Sequence, residues 1–111
     1  MDRLDRYRPI IERVLGWYAA HPPSHGNIET ELIVDREQDH YLLLDLGWGN
    51  TGRVHSVFGH IRLKGGKVWI EEDGTEKGFA VEFVEAGIPK EDIVLAFYRP
   101  EHRKLTEFEV A

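Results

Sequence analysis

The stretch "RVHSVFGHIRLKGGKVWIEE", residues 53–72, predicts two β-strands joined by a tight turn. Apolar and polar side chains alternate on both sides of "KGGK", residues 64–67, and an alternation with period two is typical of strands. Adjacent glycines favour a two-residue hairpin turn, because they adopt positive φ angles without steric cost. Within the first strand, Gly59 indicates a bulge or a place where another group packs against the backbone.

Two more strands are predicted upstream of this hairpin. Residues 28–34, "IETELIV", again have period two, and the polar residues 35–39 suit a connecting turn. Residues 40–48, "HYLLLDLGW", carry apolar side chains on both faces, which predicts a central strand covered on at least part of each side. The small and flexible residues of "GNTG", 49–52, then predict a tight reversal into the hairpin.

Helices are predicted before and after these strands. Apolar residues recur at spacings of three and four over residues 3–20, as on one stripe of an amphipathic helix. Pro9 interrupts this helix or shortens it to begin near Arg8, because proline removes an internal hydrogen bond. After "DGT", residues 73–75, an acidic or hydroxyl residue can cap a second helix that Gly87 ends in a left-handed conformation. The predicted buried side of this second helix consists of Phe79, Ala80, Phe83 and Val84.

These elements predict an α+β fold with an N-terminal helix and an antiparallel sheet of three to five strands. The second short helix packs on the sheet, and "IVLAFY", residues 93–98, forms a final strand or a docked extended C-terminal segment. A chain of 111 residues with 41% hydrophobic content is long enough for one modest core, so residues 1–111 are expected to form a single domain.

Composition excludes several classes of function. The chain has no cysteine, which rules out disulfides, thiolate metal sites and cysteine nucleophiles. The apolar core of a signal peptide and a run of about 18 apolar residues are both missing from the sequence, so we expect a cytoplasmic protein with no membrane partner. A net charge of -6 disfavours unaided binding to a phosphate backbone.

The histidines are the first candidates for chemistry, because imidazole binds metals and transfers protons near neutral pH. His21 and His25 flank two prolines and do not share a helix face. His55 and His60 are five residues apart on a strand and face opposite sides unless a bulge intervenes. We therefore predict no metal site.

Other patterns that could carry chemistry are better explained by turns. The glycines of "GWGNTG", residues 47–52, are not followed by the Lys-Ser/Thr pair of a phosphate-binding loop. We predict no catalytic residue and no cofactor. The remaining enzyme hypothesis requires His55 or His60 to share a pocket with Asp45 or Glu71.

Large aromatic residues are numerous for so small a domain. They can fill the core, or they can anchor a protein interface, because aromatic anchors dominate the energetics of such interfaces. Base stacking is disfavoured, since stacking platforms are normally surrounded by basic side chains. The candidate interface residues are Trp48, Trp69, Phe58 and Tyr41.

Several segments together resemble the XisI family, the fdxN-element excision controlling factors found mainly in cyanobacteria. They are the opening "LDRYRPIIERVL", the strand "YLLLDLGW" and the long segment that begins at "RVHSVFGHIRLKGGKVWIEEDGTE" and continues through "GIPKEDIVLAF". The resemblance covers nearly the whole chain, and its most specific portion runs from "DGTE" to "TEFEVA".

The resemblance implies a non-enzymatic regulator that controls programmed excision of a DNA element, while a separate recombinase exchanges the strands. It also implies protein contact with an XisH-like, endonuclease-like partner, and self-association into a homo-oligomer is a further possibility. The alternative is a direct DNA-binding accessory factor for site-specific recombination that uses a local basic patch. The residues of that candidate patch are Arg53, Arg62, Lys64, Lys67, Arg99, Arg103 and Lys104.

Overall fold

The computed structural model describes residues 3–24 and 26–109, and within them five strands form one sheet in sequence order. The elements are α1 (Arg3–Ala20), β1 (Asn27–Asp35), β2 (His40–Gly49), β3 (Gly52–Lys64), β4 (Lys67–Asp73), α2 (Phe79–Glu85), a 3₁₀ turn (Lys90–Asp92), β5 (Ile93–Leu95) and α3 (Pro100–Arg103). Neighbouring strands from β1 to β4 are antiparallel, and β5 runs parallel to β4. The predicted α+β fold is confirmed, with a C-terminal strand whose direction differs from the rest.

The hairpin between β3 and β4 has the predicted turn. Gly65 and Gly66 have φ angles of 59° and 78°, which suit a two-residue turn with both central residues in the left-handed region. Lys64 and Lys67 pair across its base.

A bulge in β3 breaks the strict alternation that the sequence predicts. Leu43 pairs with Gly59 while Leu44 pairs with Val57, so Phe58 is the extra residue on β3. An extra residue reverses the face on which every earlier side chain of that strand lies. Strict alternation therefore predicts the wrong face of the sheet for the side chains of β3 that precede Phe58.

Gly59 fulfils both parts of its prediction. It lies beside the bulge, and the ring of Phe79 packs on it so closely that a Cβ atom at Gly59 would approach Phe79 Cε2 to 2.7 Å. Helix α2 can therefore lie against the sheet only because this position has no side chain.

Helix α1 spans the predicted residues and buries the predicted stripe. Tyr7, Ile11 and Leu15 are fully buried against the sheet. Pro9 lies inside the helix, which begins at Arg3, so of the two predicted alternatives the start near Arg8 is wrong. Pro9 is exposed, and the packing of the opposite side of the helix offsets the hydrogen bond that proline cannot donate.

The N-cap residue of helix α2 is Gly78 and makes no side-chain cap hydrogen bond, so the predicted acidic or hydroxyl residue is not at the N-cap position and Asp73 bonds the first turn from a distance in sequence. The Asp73 carboxylate accepts hydrogen bonds from the backbone N–H of Phe79 at 2.8 Å and from Thr75, and Gly87 has a φ of 111° after the last turn. Phe79 and Phe83 are buried as predicted, whereas Val84 is exposed because it lies on the solvent side of this short helix.

Helices α1 and α2 pack on the same face of the sheet, where they enclose the core. The fully buried core side chains are Tyr7, Ile11, Leu15, Tyr41, Leu43, Ile61, Val68, Ile70, Phe79, Phe83, Ile88 and Ile93. By the residues that the structure describes, the opposite face, here called the outer face, is covered only near β4 and β5. There Val94 is buried, bridges Glu109 and pairs with Trp69, whose ring lies under Arg103. Among the helices of the described ranges, none has the length and apolarity to cross a membrane.

Candidate functional site

The outer face carries a row of apolar side chains that no helix covers. We call this row the outer strip, and Ile33, Trp48 and Val57 in it are 43%, 60% and 42% exposed. Its other members are half-buried leucines of β2, on the face opposite the buried Tyr41 and Leu43. The outer strip consists of Ile33, Leu42, Leu44, Leu46, Trp48 and Val57.

Strand register brings these side chains together. Leu42 pairs with Ile33 on β1, and Leu44 pairs with Val57 on β3. Val57 faces outward because the bulge at Phe58 separates it from the core-facing part of β3. The strip therefore depends on the bulge, which lies next to the Gly59 contact of α2 on the other face.

Trp48 lies at one end of the strip, beside a shallow cavity with a volume of about 430 Å³. The Arg53 guanidinium lies 5.8 Å from the centre of the Trp48 ring and donates a hydrogen bond to the Gly47 carbonyl at 3.1 Å. Gly47 has a φ of 148°, and a Cβ atom there would be only 2.0 Å from the Asn27 carbonyl oxygen. Only glycine fits at this position, so the backbone that presents Trp48 is tightly packed.

Charged residues flank the strip with opposite signs. Glu29 and Glu31 extend from β1 on one side, where they pair with Leu46 and Leu44. Arg53 extends from β3 on the other side, where it pairs with Trp48. An acidic margin, an apolar centre and a basic margin can set the orientation of a docked protein, because complementary charges disfavour the wrong registers.

Two histidines meet at the far end of the strip. His40 Nδ1 and His60 Nε2 are 2.8 Å apart, so one ring donates a hydrogen bond to the other. Burial, and then the neighbouring His40, lower the pKa of His60 below its ordinary value. The pair favours a neutral His60, because a proton on both facing nitrogens would leave neither of them able to accept the shared hydrogen bond.

Lowering the pH is expected to destabilise the fold through His60. Below the ordinary pKa of 6.5 the unfolded chain binds a proton that the folded chain still excludes, so the free energy of unfolding falls as the pH falls and levels off below the folded-state pKa. Urea unfolding at about pH 7.5 and about pH 5.5 measures this loss. His60→Gln should reduce the loss, whereas the exposed control His102→Gln should keep it, and an undiminished loss in His60→Gln would contradict the assignment.

Comparison with known proteins agrees with this geometry. The family described as XisI protein matches residues 1–110. The chain belongs to the XisI family. The predicted resemblance is thus confirmed, and the fold described above is the fold of a XisI-family member. Among curated proteins, no significant match is found.

Two solved structures resemble this XisI-family chain over its whole length. A XisI-like protein from Anabaena variabilis ATCC 29413 is 34% identical, covers 97% of this chain and 99% of its own, and superposes with a TM-score of 0.88. The fdxN element excision controlling factor XisI from the same organism is 37% identical, covers 99% of this chain and 100% of its own, and has a TM-score of 0.82.

The predicted interface aromatics of this XisI-family chain lie in different places. Trp48 is exposed on the outer strip, but Tyr41 is fully buried in the core and offers no surface to a partner. Phe58 lies on the helix-bearing side, with its ring centre 5.8 Å from that of Tyr18. Trp69 is half-buried on the outer face beneath the C-terminal segment. The leucines of the strip were missed, although the apolar residues on both faces of β2 were their signal.

The candidate basic residues are brought together only in part. Arg62, Lys64 and Arg103 surround the Trp69 ring at 5.6, 5.0 and 5.7 Å from its centre, while Arg53 lies at the other end of β3. Carboxylates interrupt this group: the ion pairs are Arg62–Glu71 at 2.6 Å, Lys67–Glu109 at 2.8 Å and Arg99–Glu101 at 3.7 Å. Lys104 is exposed at the end of α3. The XisI-family chain therefore presents alternating charges here and not one basic surface.

The histidines that the enzyme hypothesis requires lie on the outer face. Because of the bulge, His55 faces the same side as His60, whereas Asp45 faces the helices and pairs with Thr30. His60 lies near Glu71, whose charge acts on it. In residues 3–24 and 26–109, no group of three or more His, Asp or Glu side chains could hold a metal ion. His25 lies outside the described residues.

Proposed function

We propose that this XisI-family protein is a non-enzymatic regulatory factor that controls programmed excision of a DNA element in the cytoplasm. Family membership supports the role, as does 37% identity over 99% of the chain to the fdxN element excision controlling factor XisI of Anabaena variabilis. The protein acts through contact with an XisH-like nuclease, and another enzyme exchanges the DNA strands.

The observation that supports contact with an XisH-like protein is the outer strip. An antiparallel sheet can leave one face to water, and that face is then normally polar. Here the centre of the uncovered face consists of leucine, isoleucine, valine and tryptophan side chains, with Ile33 and Val57 more than two-fifths exposed. Contiguous apolar patches of this kind mark interaction sites, because burying them removes apolar surface from water at about 25 cal/mol per Å².

Co-expression of the chain with an XisH-like protein tests this function. Joint purification at equal stoichiometry, with the mass measured by light scattering, is the expected result. A second copy of the chain would compete for the same strip, so the mass of the protein alone is measured first. A homodimer that converts to the mixed complex agrees with the proposal, and absence of any mixed complex at low salt contradicts it.

Trp48→Ala is expected to weaken the mixed complex about 30-fold or more, since aromatic anchors of interfaces contribute about 2 kcal/mol or more when truncated. Trp48 is 60% exposed beside the cavity, so the free protein should keep its stability. Calorimetric titration of the XisH-like protein measures the affinity. The matched control is Tyr98→Ala, because Tyr98 is an aromatic residue 44% exposed outside the strip. Equal effects of the two substitutions would place the interface elsewhere.

A further inference from the structure

A second pocket lies on the helix-bearing side of the sheet, where α1 ends. Its volume is about 190 Å³, well below the roughly 300–1,000 Å³ of sites for drug-sized ligands. The side chains that decide its chemistry are Trp17, Tyr18, His21, Thr30, Asp45 and Phe58. We infer that this pocket, the corner pocket, binds an organic cation the size of a guanidinium or ammonium side chain.

Aromatic rings form the walls of the corner pocket. The Trp17 indole stacks on His21 with ring centres 4.1 Å apart and meets the Tyr18 ring edge to face at 5.1 Å. Phe58 continues this wall, 5.8 Å from Tyr18. Trp17 is 54% exposed although it is a large aromatic residue on the helix, so its ring serves the pocket more than the core. Aromatic faces are negative and attract cations within about 6 Å.

A carboxylate lies among these rings. Asp45 continues the core-facing row of β2 beyond Leu43, at the point where the helix no longer covers the sheet. Thr30 on β1 donates a hydrogen bond to Asp45 Oδ1 at 2.7 Å, which orients the group and leaves Oδ2 able to accept another donor. The described residues that line the pocket include no lysine or arginine to neutralise it.

Tyr18 adds to the negative potential beside the pocket through its hydrogen-bond partner, while its own hydroxyl stays uncharged. Its hydroxyl donates to Glu82 Oε2 at 2.6 Å, so a second carboxylate lies at the edge of the wall. Burial and then this hydrogen bond raise the pKa of Tyr18 well above its ordinary value, and the hydroxyl stays protonated. The Asp45 carboxylate and three aromatic rings favour a cation over a neutral or anionic group, which also makes a phosphate an unsuitable ligand here.

The corner pocket lies on the face opposite the outer strip, so this inference stands apart from the proposed function. The cation can belong to an arginine or lysine side chain of a protein, or to a free quaternary ammonium compound. The guanidinium, ammonium and quaternary ammonium groups each carry a positive charge on a compact group that binds to the face of an aromatic ring. Their relative affinities distinguish the sources.

Titration of the isotope-labelled full chain by NMR tests the inference with four probes. N-acetyl-argininamide, N-acetyl-lysinamide and tetramethylammonium are the cations, and N-acetyl-citrullinamide is the neutral match to arginine. At least one cation should shift the Trp17 indole N–H and Thr30 amide signals saturably at millimolar concentration, as expected for about one charge and one aromatic contact. Citrulline should leave both signals unchanged. Strongest binding of arginine or lysine indicates a protein side chain, and strongest binding of tetramethylammonium indicates a free compound.

Asp45→Asn should weaken the best cation about tenfold while the amide still accepts the Thr30 hydrogen bond. Glu31→Gln removes one carboxylate from the outer face and should leave the affinity unchanged. Trp17→Leu should also weaken binding several-fold, and it replaces Asp45→Asn as the test variant if Asp45→Asn proves unstable. Absence of saturable shifts with every cation, an equal response to citrulline, or wild-type affinity in both Asp45→Asn and Trp17→Leu would overturn the inference.

Discussion

Phe79→Ala is expected to lower the free energy of unfolding by about 3–5 kcal/mol, the largest stability effect of a single truncation in this chain. The Phe79 ring is fully buried, with ring centres 5.7 Å from Tyr18 and 6.0 Å from Phe83, and it lies directly on the backbone of Gly59. The cavity left by Phe79→Ala cannot be filled from the sheet, because Gly59 has no side chain and its backbone is held between β2 and β4.

Urea unfolding followed by circular dichroism measures this loss. Phe97→Ala is the matched control, since Phe97 is 47% exposed and its truncation should cost less than about 1 kcal/mol. If the two substitutions destabilised the protein equally, the contact between α2 and the sheet would contribute little to folding.

The same contact shows how far the sequence predicts this fold. Gly59 indicated that some group packs on the backbone, and Phe79 was placed on the buried side of the second helix. Nothing local joins them, because they are separated by a hairpin and the capped turn at Asp73. The pairing arises only when α2 lies across the sheet, so it belongs to tertiary packing and not to propensity.

The bulge at Phe58 limits the prediction of the site. Alternation assigns faces correctly as long as the register is regular, but one extra residue reverses every assignment before it. His55 and Val57 therefore lie on the outer face with His60, although strict alternation would place them with the core-facing Gly59 and Ile61. Without the bulge the outer strip lacks Val57, so the sequence pattern alone could not outline the candidate interface.

Hydrophobicity alone also fails to separate core aromatics from surface aromatics. Tyr41 and Trp48 both belong to β2 and are seven residues apart, which places them on opposite faces. Which face the helices cover is decided by the connections before β1 and after β4. Only the family resemblance, which spans nearly the whole chain, points to the proposed regulatory function.

The direction of β5 has a simpler physical origin. The antiparallel prediction is sound for strands joined by short turns, as from β1 to β4. Helix α2 lies between β4 and β5 and carries the chain back along the sheet, so β5 enters parallel to β4. The sequence predicts both the helix and the extended segment "IVLAFY". A helix between two neighbouring strands favours parallel pairing of those strands.

Leu44→Lys is expected to weaken the complex with an XisH-like partner more than about 100-fold, the largest functional effect of a single change. Leu44 lies at the centre of the outer strip, next to Val57 and Glu31 on the flanking strands. In the free protein the new ammonium faces water and pairs with Glu31, so folding should be preserved. In the complex this ion pair would be buried among apolar side chains, where the loss of its hydration outweighs the attraction between the two charges.

Calorimetric titration of the XisH-like protein into each variant measures this effect, and two controls separate charge from position. Leu44→Ile keeps an apolar strand-forming side chain and should bind within about threefold of the wild type. Leu105→Lys places the same charge at a leucine that is 80% exposed outside the strip, and it should bind like the wild type. Wild-type affinity in Leu44→Lys would show that the partner docks on another surface. Loss of binding in Leu44→Lys alone, with an unchanged free energy of unfolding, would assign the partner to the outer face, because only burial of that face distinguishes the two lysines.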